Sequence, residues 1–124
     1  MRGVSFSPDG KTFVSASEDR DVRLWEVSSG RCLNILRGHT SAVQEVAFSS
    51  DGKILASCSS DQTVRLWEVR SGQCLNVLQG HTSAIYSVAF SPDGKALASG
   101  GFDGVINLWD RQTGACNMHQ PKNG

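Results

Sequence analysis

A histidine, a serine and an aspartate occur at spacings that could support acyl-transfer chemistry. His39, Ser57 and Asp61 are followed 42 residues later by the same three residue types. A serine beside a histidine base that a carboxylate orients can act as a nucleophile. An active site, however, needs an open approach to its nucleophile and has no reason to be built again in each repeat. We therefore expect these residues to have a structural role and the chain to have no catalytic activity of its own.

The same polar residues do not form a pattern that would hold a metal or a cofactor. The two Gly-His pairs have no second histidine or cysteine at zinc-ligand spacing. The Asp-Gly turns lack the alternating Asp and Asn ligands of a calcium loop. No glycine-rich phosphate loop opens a helix. We expect no metal ion and no cofactor.

The charge and hydropathy of the chain restrict its partners. Its 124 residues include 12 basic and 12 acidic side chains, so the formal net charge is zero. Such a balance gives no electrostatic reason to bind nucleic acid or an anionic membrane. No apolar run reaches the length of about 18 residues that a spanning helix needs. A turn at residues 7–10 follows the N-terminus too soon for a signal-peptide core, so we expect a cytoplasmic protein.

The four cysteines do not have the arrangement of a disulfide framework. Cys32, Cys74 and Cys116 are 42 residues apart and therefore occupy one position in successive repeats, whereas Cys58 lies in an apolar run. Equivalent positions of separate units need not come within bonding distance. We expect all four thiols to be reduced and mostly buried.

An internal repeat organises the whole chain. Trp25, Trp67 and Trp109 are separated by 42 residues each, and the sequence of residues 38–42 recurs at residues 80–84. No insertion or deletion interrupts this register before the last few residues. A fixed period of this length is typical of repeat architectures such as propellers.

Each repeat has the pattern of four short strands. In the middle unit, strand-forming residues occupy 42–49, 53–59, 64–67 and 73–78, and Asp-Gly, Ser-Asp and Ser-Gly turns separate them. Connections this short allow only antiparallel neighbours. The sequence predicts an all-β fold of three four-stranded antiparallel sheets, which cover each other's apolar faces by stacking.

The Gly-His pairs, the Ser-Pro-Asp-Gly turns and the Leu-Trp-Glu or Leu-Trp-Asp endings resemble those of the WD40 repeat family, which includes the G-protein beta subunits. The resemblance implies β-propeller blades, and three blades are too few to close a ring. We expect a first blade at residues 1–37 without its Gly-His segment, a second at 38–79, a third at 80–120 and a tail at 121–124. The last strand of the third blade is expected to be weak, because residues 115–121 match residues 73–80 only with a one-residue gap.

The resemblance also implies a role for the His, Ser and Asp residues. In WD40 proteins they form a buried hydrogen-bonded tetrad with the repeat's tryptophan. Carried over by motif, the predicted tetrad residues are His39, Ser57, Asp61 and Trp67 in the second unit, His81, Ser99, Asp103 and Trp109 in the third, and Ser15, Asp19 and Trp25 in the first.

The resemblance further implies a docking surface for partner proteins or peptides on the narrower, top face of the propeller. The matching positions are Ala42, Gln44 and Ser60 in the second unit, Ala84, Tyr86 and Phe102 in the third, and Arg2 and Glu18 in the first. While the framework repeats, these positions change, and Tyr86 and Phe102 are the strongest candidates because aromatic residues are enriched at interface hot spots.

The incomplete set of blades leaves two interpretations open. The chain is either part of a longer propeller or completes a ring by association of identical copies, with six blades from two copies or nine from three. We expect a protein-interaction scaffold that binds other proteins or peptides and further WD40 blades. The alternative is a sensor or regulatory segment of a larger signalling ATPase or kinase.

Overall fold

The described part of a computed structural model of the chain, residues 3–17, 19–79, 83–102, 105–110 and 116–121, is built from β-strands. No helix occurs in these residues, and so none is long and apolar enough to cross a bilayer. The strands are β1 (Gly3–Phe6), β2 (Thr12–Ala16), β3 (Val22–Glu26), β4 (Cys32–Leu36), β5 (Val43–Phe48), β6 (Ile54–Ser59), β7 (Thr63–Glu68), β8 (Cys74–Gln79), β9 (Ile85–Phe90), β10 (Ala96–Gly101), β11 (Val105–Asp110) and β12 (Cys116–Pro121).

The strands form three antiparallel meanders, one for each repeat. The sheets have the orders β1-β2-β3-β4, β5-β6-β7-β8 and β9-β10-β11-β12, and they do not close into a ring. Pairing follows the 42-residue period, since Leu55 faces Trp67 in the second sheet as Leu97 faces Trp109 in the third. The expectation of an all-β chain of three four-stranded sheets in an incomplete propeller is confirmed.

The fourth strand of the third sheet keeps the register of its counterpart. Trp109 pairs with Cys116 as Trp67 pairs with Cys74, and each pairing follows a register shift beside the tryptophan. The one-residue gap expected in this segment is therefore absent from the pairing. The strand also runs through Pro121, which the sequence analysis places in the tail.

Tight turns that begin with serine join the first and second strands of each sheet. In the first turn the Ser7 hydroxyl donates to Oδ1 of Asp9 at 2.6 Å, and the amide of Lys11 donates to the same oxygen at 2.9 Å. Gly10 has a φ of 72°, a conformation that a side chain disfavours. The same contacts recur with Ser49 and Asp51 and with Ser91 and Asp93, so one local solution serves all three sheets.

Two apolar clusters join the sheets. We define the forward face of a sheet as the one that packs on the next sheet along the chain, and the backward face as the one that packs on the preceding sheet. The first cluster combines the forward face of the first sheet, Val14, Ala16, Val22, Leu24 and Leu36, with the backward face of the second, Val43, Val46, Leu55 and Trp67. The second combines Ile54, Ala56, Cys58, Val64, Leu66 and Leu78 with Ile85, Val88, Leu97 and Trp109.

The members of the two clusters are related by the repeat. Val46, Leu55 and Trp67 are 42 residues before Val88, Leu97 and Trp109, and all six side chains are buried. Full burial of a Val or Leu side chain stabilises the fold by about 1.5–3 kcal/mol. The stacking of sheets is therefore the main source of stability, and it places the polar residues of each repeat at the junction between neighbouring sheets.

Candidate functional site

The second sheet contains a hydrogen-bonded chain of four side chains. Nδ1 of His39 lies 2.8 Å from Oδ2 of Asp61, and its Nε2 lies 2.6 Å from the hydroxyl of Ser57. The indole N–H of Trp67 donates to the same hydroxyl at 2.8 Å. A neutral imidazole can donate to the carboxylate through Nδ1 and accept the Ser57 proton at Nε2. The structure thus brings together all four residues that the resemblance assigns to this unit.

The carboxylate of Asp61 is the most heavily bonded group of the tetrad. Besides His39, the amide of Thr40 donates to it at 3.0 Å, and Thr63 donates to it through its amide and its hydroxyl. Burial opposes ionisation of Asp61, but the hydrogen bonds from His39, Thr63 and Thr40 outweigh it and hold the pKa well below the ordinary aspartate value. Thr63 was not identified from the sequence, although a threonine two residues after a turn aspartate is typical of an Asx turn.

The geometry does not suit Ser57 to nucleophilic attack. Its side chain is buried, and its oxygen already accepts the Trp67 proton while it contacts His39. A nucleophile needs an open approach for the substrate and hydrogen-bond donors for the oxyanion. The arrangement instead links the loop of His39 to β6, the following turn and β7.

The loop that carries His39 also needs a glycine. A Cβ atom on Gly38 would lie 2.8 Å from Nη1 of Arg65 and 3.3 Å from Cη2 of Trp67. The loop therefore lies directly on these two side chains, and this close approach explains the Gly of the Gly-His pair. Arg65 is a neighbour of the tetrad rather than part of a basic stripe.

The other two sheets retain parts of this arrangement. In the third, the indole of Trp109 donates to Ser99 at 2.8 Å, whereas His81 and Asp103 lie outside the described residues. In the first, the indole of Trp25 donates to Ser15 at 3.0 Å. Asp19 of this unit is 52% exposed, and its carboxylate lies 3.0 Å from the guanidinium of Arg23.

Arg23 therefore replaces the missing histidine as the partner of the turn aspartate. Hydrogen bonds from Ser17 and Arg23 lower the pKa of Asp19, and the Asp19 carboxylate raises the pKa of Arg23. The sequence analysis did not predict this ion pair.

The predicted docking positions form two neighbouring pairs. In the second sheet the amide nitrogen of Gln44 donates to the hydroxyl of Ser60 at 2.6 Å. In the third, the rings of Tyr86 and Phe102 stack with centroids 4.9 Å apart and planes inclined by 26°. We call this second pair the aromatic pair.

The backbone beneath each pair is the same. The carbonyl of Ala42 accepts the amide of Ser60 at 3.0 Å, and that of Ala84 accepts the amide of Phe102 at 2.9 Å. Two different side-chain pairs therefore stand on one repeated backbone contact. Arg2 and Glu18, the positions expected from the first unit, lie outside the described residues.

The cysteines whose side chains are described are not bonded to each other. Cys32, Cys58 and Cys74 are free thiols, as expected, but only Cys58 is fully buried, and the other two are half-buried. Their strands lie at the outer edge of each sheet, where no further strand covers them. Burial, followed by the nearby Glu45 charge, raises the pKa of Cys58 to about 12. No cluster of three metal-ligating side chains occurs within the described part of the chain.

The comparison with protein families matches these repeats. The model described as "WD domain, G-beta repeat" matches residues 1–26, 30–68 and 72–110. The chain belongs to the WD40 repeat family. Proteins of this family and the WD-repeat relatives are generally non-catalytic scaffolds.

Individual WD-repeat relatives match short parts of the chain. The general transcriptional corepressor TUP1 of Saccharomyces cerevisiae is 44% identical over 39 residues, which are 32% of this chain and 6% of that protein. WD repeat-containing protein 86 of Homo sapiens is 45% identical over 40 residues, or 32% of this chain and 11% of the relative. Nuclear distribution protein nudF 1 of Talaromyces marneffei is 37% identical over 46 residues, or 37% and 10%. The chain thus matches about a tenth or less of the length of these relatives.

Proposed function

We propose that this chain is a protein-interaction scaffold whose docking surface is centred on the aromatic pair. The observation that carries the proposal is the state of Phe102, which is 70% exposed and yet held in place by the stacked ring of Tyr86. An exposed, ordered aromatic surface offers contact area without the entropy that mobile side chains lose on binding. WD40 membership and the relatives' WD repeats support the same class of function.

The chemistry of the surface favours a partner that presents an apolar side chain. The faces of two aromatic rings suit aliphatic or aromatic side chains of a protein or peptide. The neighbouring Gln44–Ser60 pair supplies polar groups that can exchange their mutual hydrogen bond for bonds to a partner's backbone. The surface thus combines an apolar centre with a polar neighbour, which is the usual anatomy of a protein interface.

The chain itself supplies a matched variant for the test. Tyr86→Gln with Phe102→Ser would give the third sheet the pair that the second already holds as Gln44 and Ser60, on the same backbone contact. Peptides selected against the wild-type chain from a displayed random library serve as probes, and titration calorimetry measures their affinity. Loss of a hot spot of about 2 kcal/mol predicts binding weakened roughly thirtyfold.

The control variant is Leu75→Ser. Leu75 is another exposed hydrophobic residue, but it lies on β8 outside the docking positions. We expect this variant to bind the selected peptides as the wild type does. Equal affinity of the double variant and the wild type would refute the assignment of the docking surface.

We also propose that the chain has no catalytic activity and acts in the cytoplasm. The enclosed Ser57 supports the first statement, and the free thiols and balanced charge support the second. The regulatory segment of a larger signalling ATPase or kinase stays a prediction from the sequence.

A further inference from the structure

The backward face of the first sheet is exposed although its counterparts are core. Val4 is 50% exposed, whereas the residues at the same position of the second and third sheets, Val46 and Val88, are 4% and 3% exposed. Phe13 and Trp25 are half-buried, while Leu55 and Trp67 at the equivalent positions are buried. The same residue positions are therefore core in two sheets and surface in one.

The exposed area continues beyond these central positions. Phe6 is 63% exposed, whereas its equivalents Phe48 and Phe90 pack against the two apolar clusters. Val27 is also exposed, whereas its equivalent Val69 packs against the first cluster. We call Val4, Phe6, Phe13, Trp25 and Val27 the open backward face.

The turns of the first sheet lack the same neighbours. A Cβ on Gly52 would lie 3.4 Å from Cδ of Pro8 in the preceding sheet, but one on Gly10 would meet no described atom within 4 Å. A Cβ on Gly72 would meet Leu36 of β4 at 3.2 Å, and one on Gly30 would again meet no described atom. What is missing is thus one specific object, the forward face of a preceding sheet.

The third sheet presents such a forward face without a neighbour. Ala98, Gly100 and Leu108 are half-buried, whereas Ala56, Cys58 and Leu66 at the equivalent positions of the second sheet are fully buried. We call Ala98, Gly100 and Leu108 the open forward face. Pro92 occupies the repeat position of Pro8, so it is placed to contact Gly10 as Pro8 contacts Gly52.

We propose that the open backward face binds the open forward face of a second copy of this chain. The chain already forms this type of interface twice within itself, between the first and second sheets and between the second and third. Two copies joined head to tail would form two more such interfaces and give six sheets. That number lies within the range of about four to eight blades at which propellers close, whereas three copies would give nine.

This inference concerns surfaces other than the docking surface proposed above, and the two can fail separately. The association is heterologous, because different faces of the two copies meet, and closure of the ring satisfies both ends. The copy-to-copy interface lies on the lateral faces of the sheets, whereas the aromatic pair lies beside the loops that follow β8 and β10.

Sedimentation velocity over a range of concentrations of the wild-type chain gives the first test. We expect a species of twice the 13.3 kDa chain mass at high concentration. Phe6→Glu should raise the dissociation constant by about tenfold or more, because it places a charge in an apolar interface. Phe102→Ser, which removes an equally exposed aromatic residue outside the interface, should leave the mass distribution unchanged.

Complementation of two variants tests the direction of the association. Phe6→Glu blocks the open backward face, and Leu108→Glu blocks the open forward face. Each variant alone should be monomeric, whereas an equimolar mixture should form a dimer through the one pair of intact faces. Ala98→Glu replaces Leu108→Glu if circular dichroism shows that the latter does not fold.

Three outcomes would overturn the proposal. A wild-type chain that stays at 13.3 kDa at every concentration removes the second copy as the occupant. Dimerisation of either single variant as strong as that of the wild type shows that like faces associate. A mixture no heavier than the separate variants excludes the head-to-tail arrangement.

Discussion

Removal of the Asp61 carboxylate tests whether the tetrad stabilises the junction between sheets. In Asp61→Ala, the Nδ1–H group of the buried His39 loses its acceptor at 2.8 Å, and Thr63 loses the acceptor for its amide and hydroxyl. The amide of Thr40 lies at an exposed site, where water can replace the carboxylate. Stranding of buried donors of this kind costs about 1–3 kcal/mol in the free energy of unfolding.

Asp19→Ala is the matched control for this substitution. Asp19 has the same position in the first repeat, but it is half exposed and bound by Arg23 rather than by a buried histidine. After its removal water can solvate Arg23 and the freed amides, so the loss of stability should be clearly smaller than for Asp61→Ala.

Urea unfolding followed by tryptophan fluorescence measures both variants. All samples need the same protein concentration, because self-association would make the apparent stability depend on it. Equal slopes against urea are required before the midpoints are compared. If Asp61→Ala unfolds at the wild-type midpoint, or no earlier than Asp19→Ala, the tetrad does not stabilise the fold in the way argued here.

Two further predictions follow from the titratable groups. Because the pKa of Asp61 is lower in the folded chain than the ordinary value of 3.8, its contribution to stability is complete above that pH and is lost as the pH falls below it; urea midpoints should decline in this range, and Asp61→Asn should flatten the decline, whereas an unchanged slope would contradict the assignment. In a Cys116→Ser variant, a thiol reagent at mildly alkaline pH should modify the half-buried Cys32 and Cys74 well before Cys58, whose pKa burial raises to about 12; a single rate for all three thiols would exclude the packing described for β6.

The features that repeat could be predicted from the sequence. Strand pairing, the serine-led turns and the contacts of His39, Ser57 and Trp67 follow from residues that recur at one spacing, because a repeated residue meets a repeated environment. The tetrad residues could be named only through the family resemblance. The 42-residue period alone does not say which polar side chains bond to each other.

The features that depart from the repeat could not be predicted in the same way. Arg23 binds Asp19 only because no histidine of its own unit is there, and that depends on how two side chains fill a vacant space. The stacking of Tyr86 on Phe102 likewise depends on side-chain rotamers and on the separation of β9 and the turn after β10. The half-burial of Cys32 and Cys74 was missed because their strands alternate core and outer positions at the edge of a sheet.

The coverage of the second sheet on both faces has a consequence for cooperativity. A chain of stacked units behaves approximately as a linear array with nearest-neighbour couplings, in which an inner unit has two couplings and a terminal unit has one. The terminal units are therefore the places where opening begins. A ring of two copies would leave no terminal unit, so separation of the copies and loss of the folded state would merge into one transition that shifts with protein concentration.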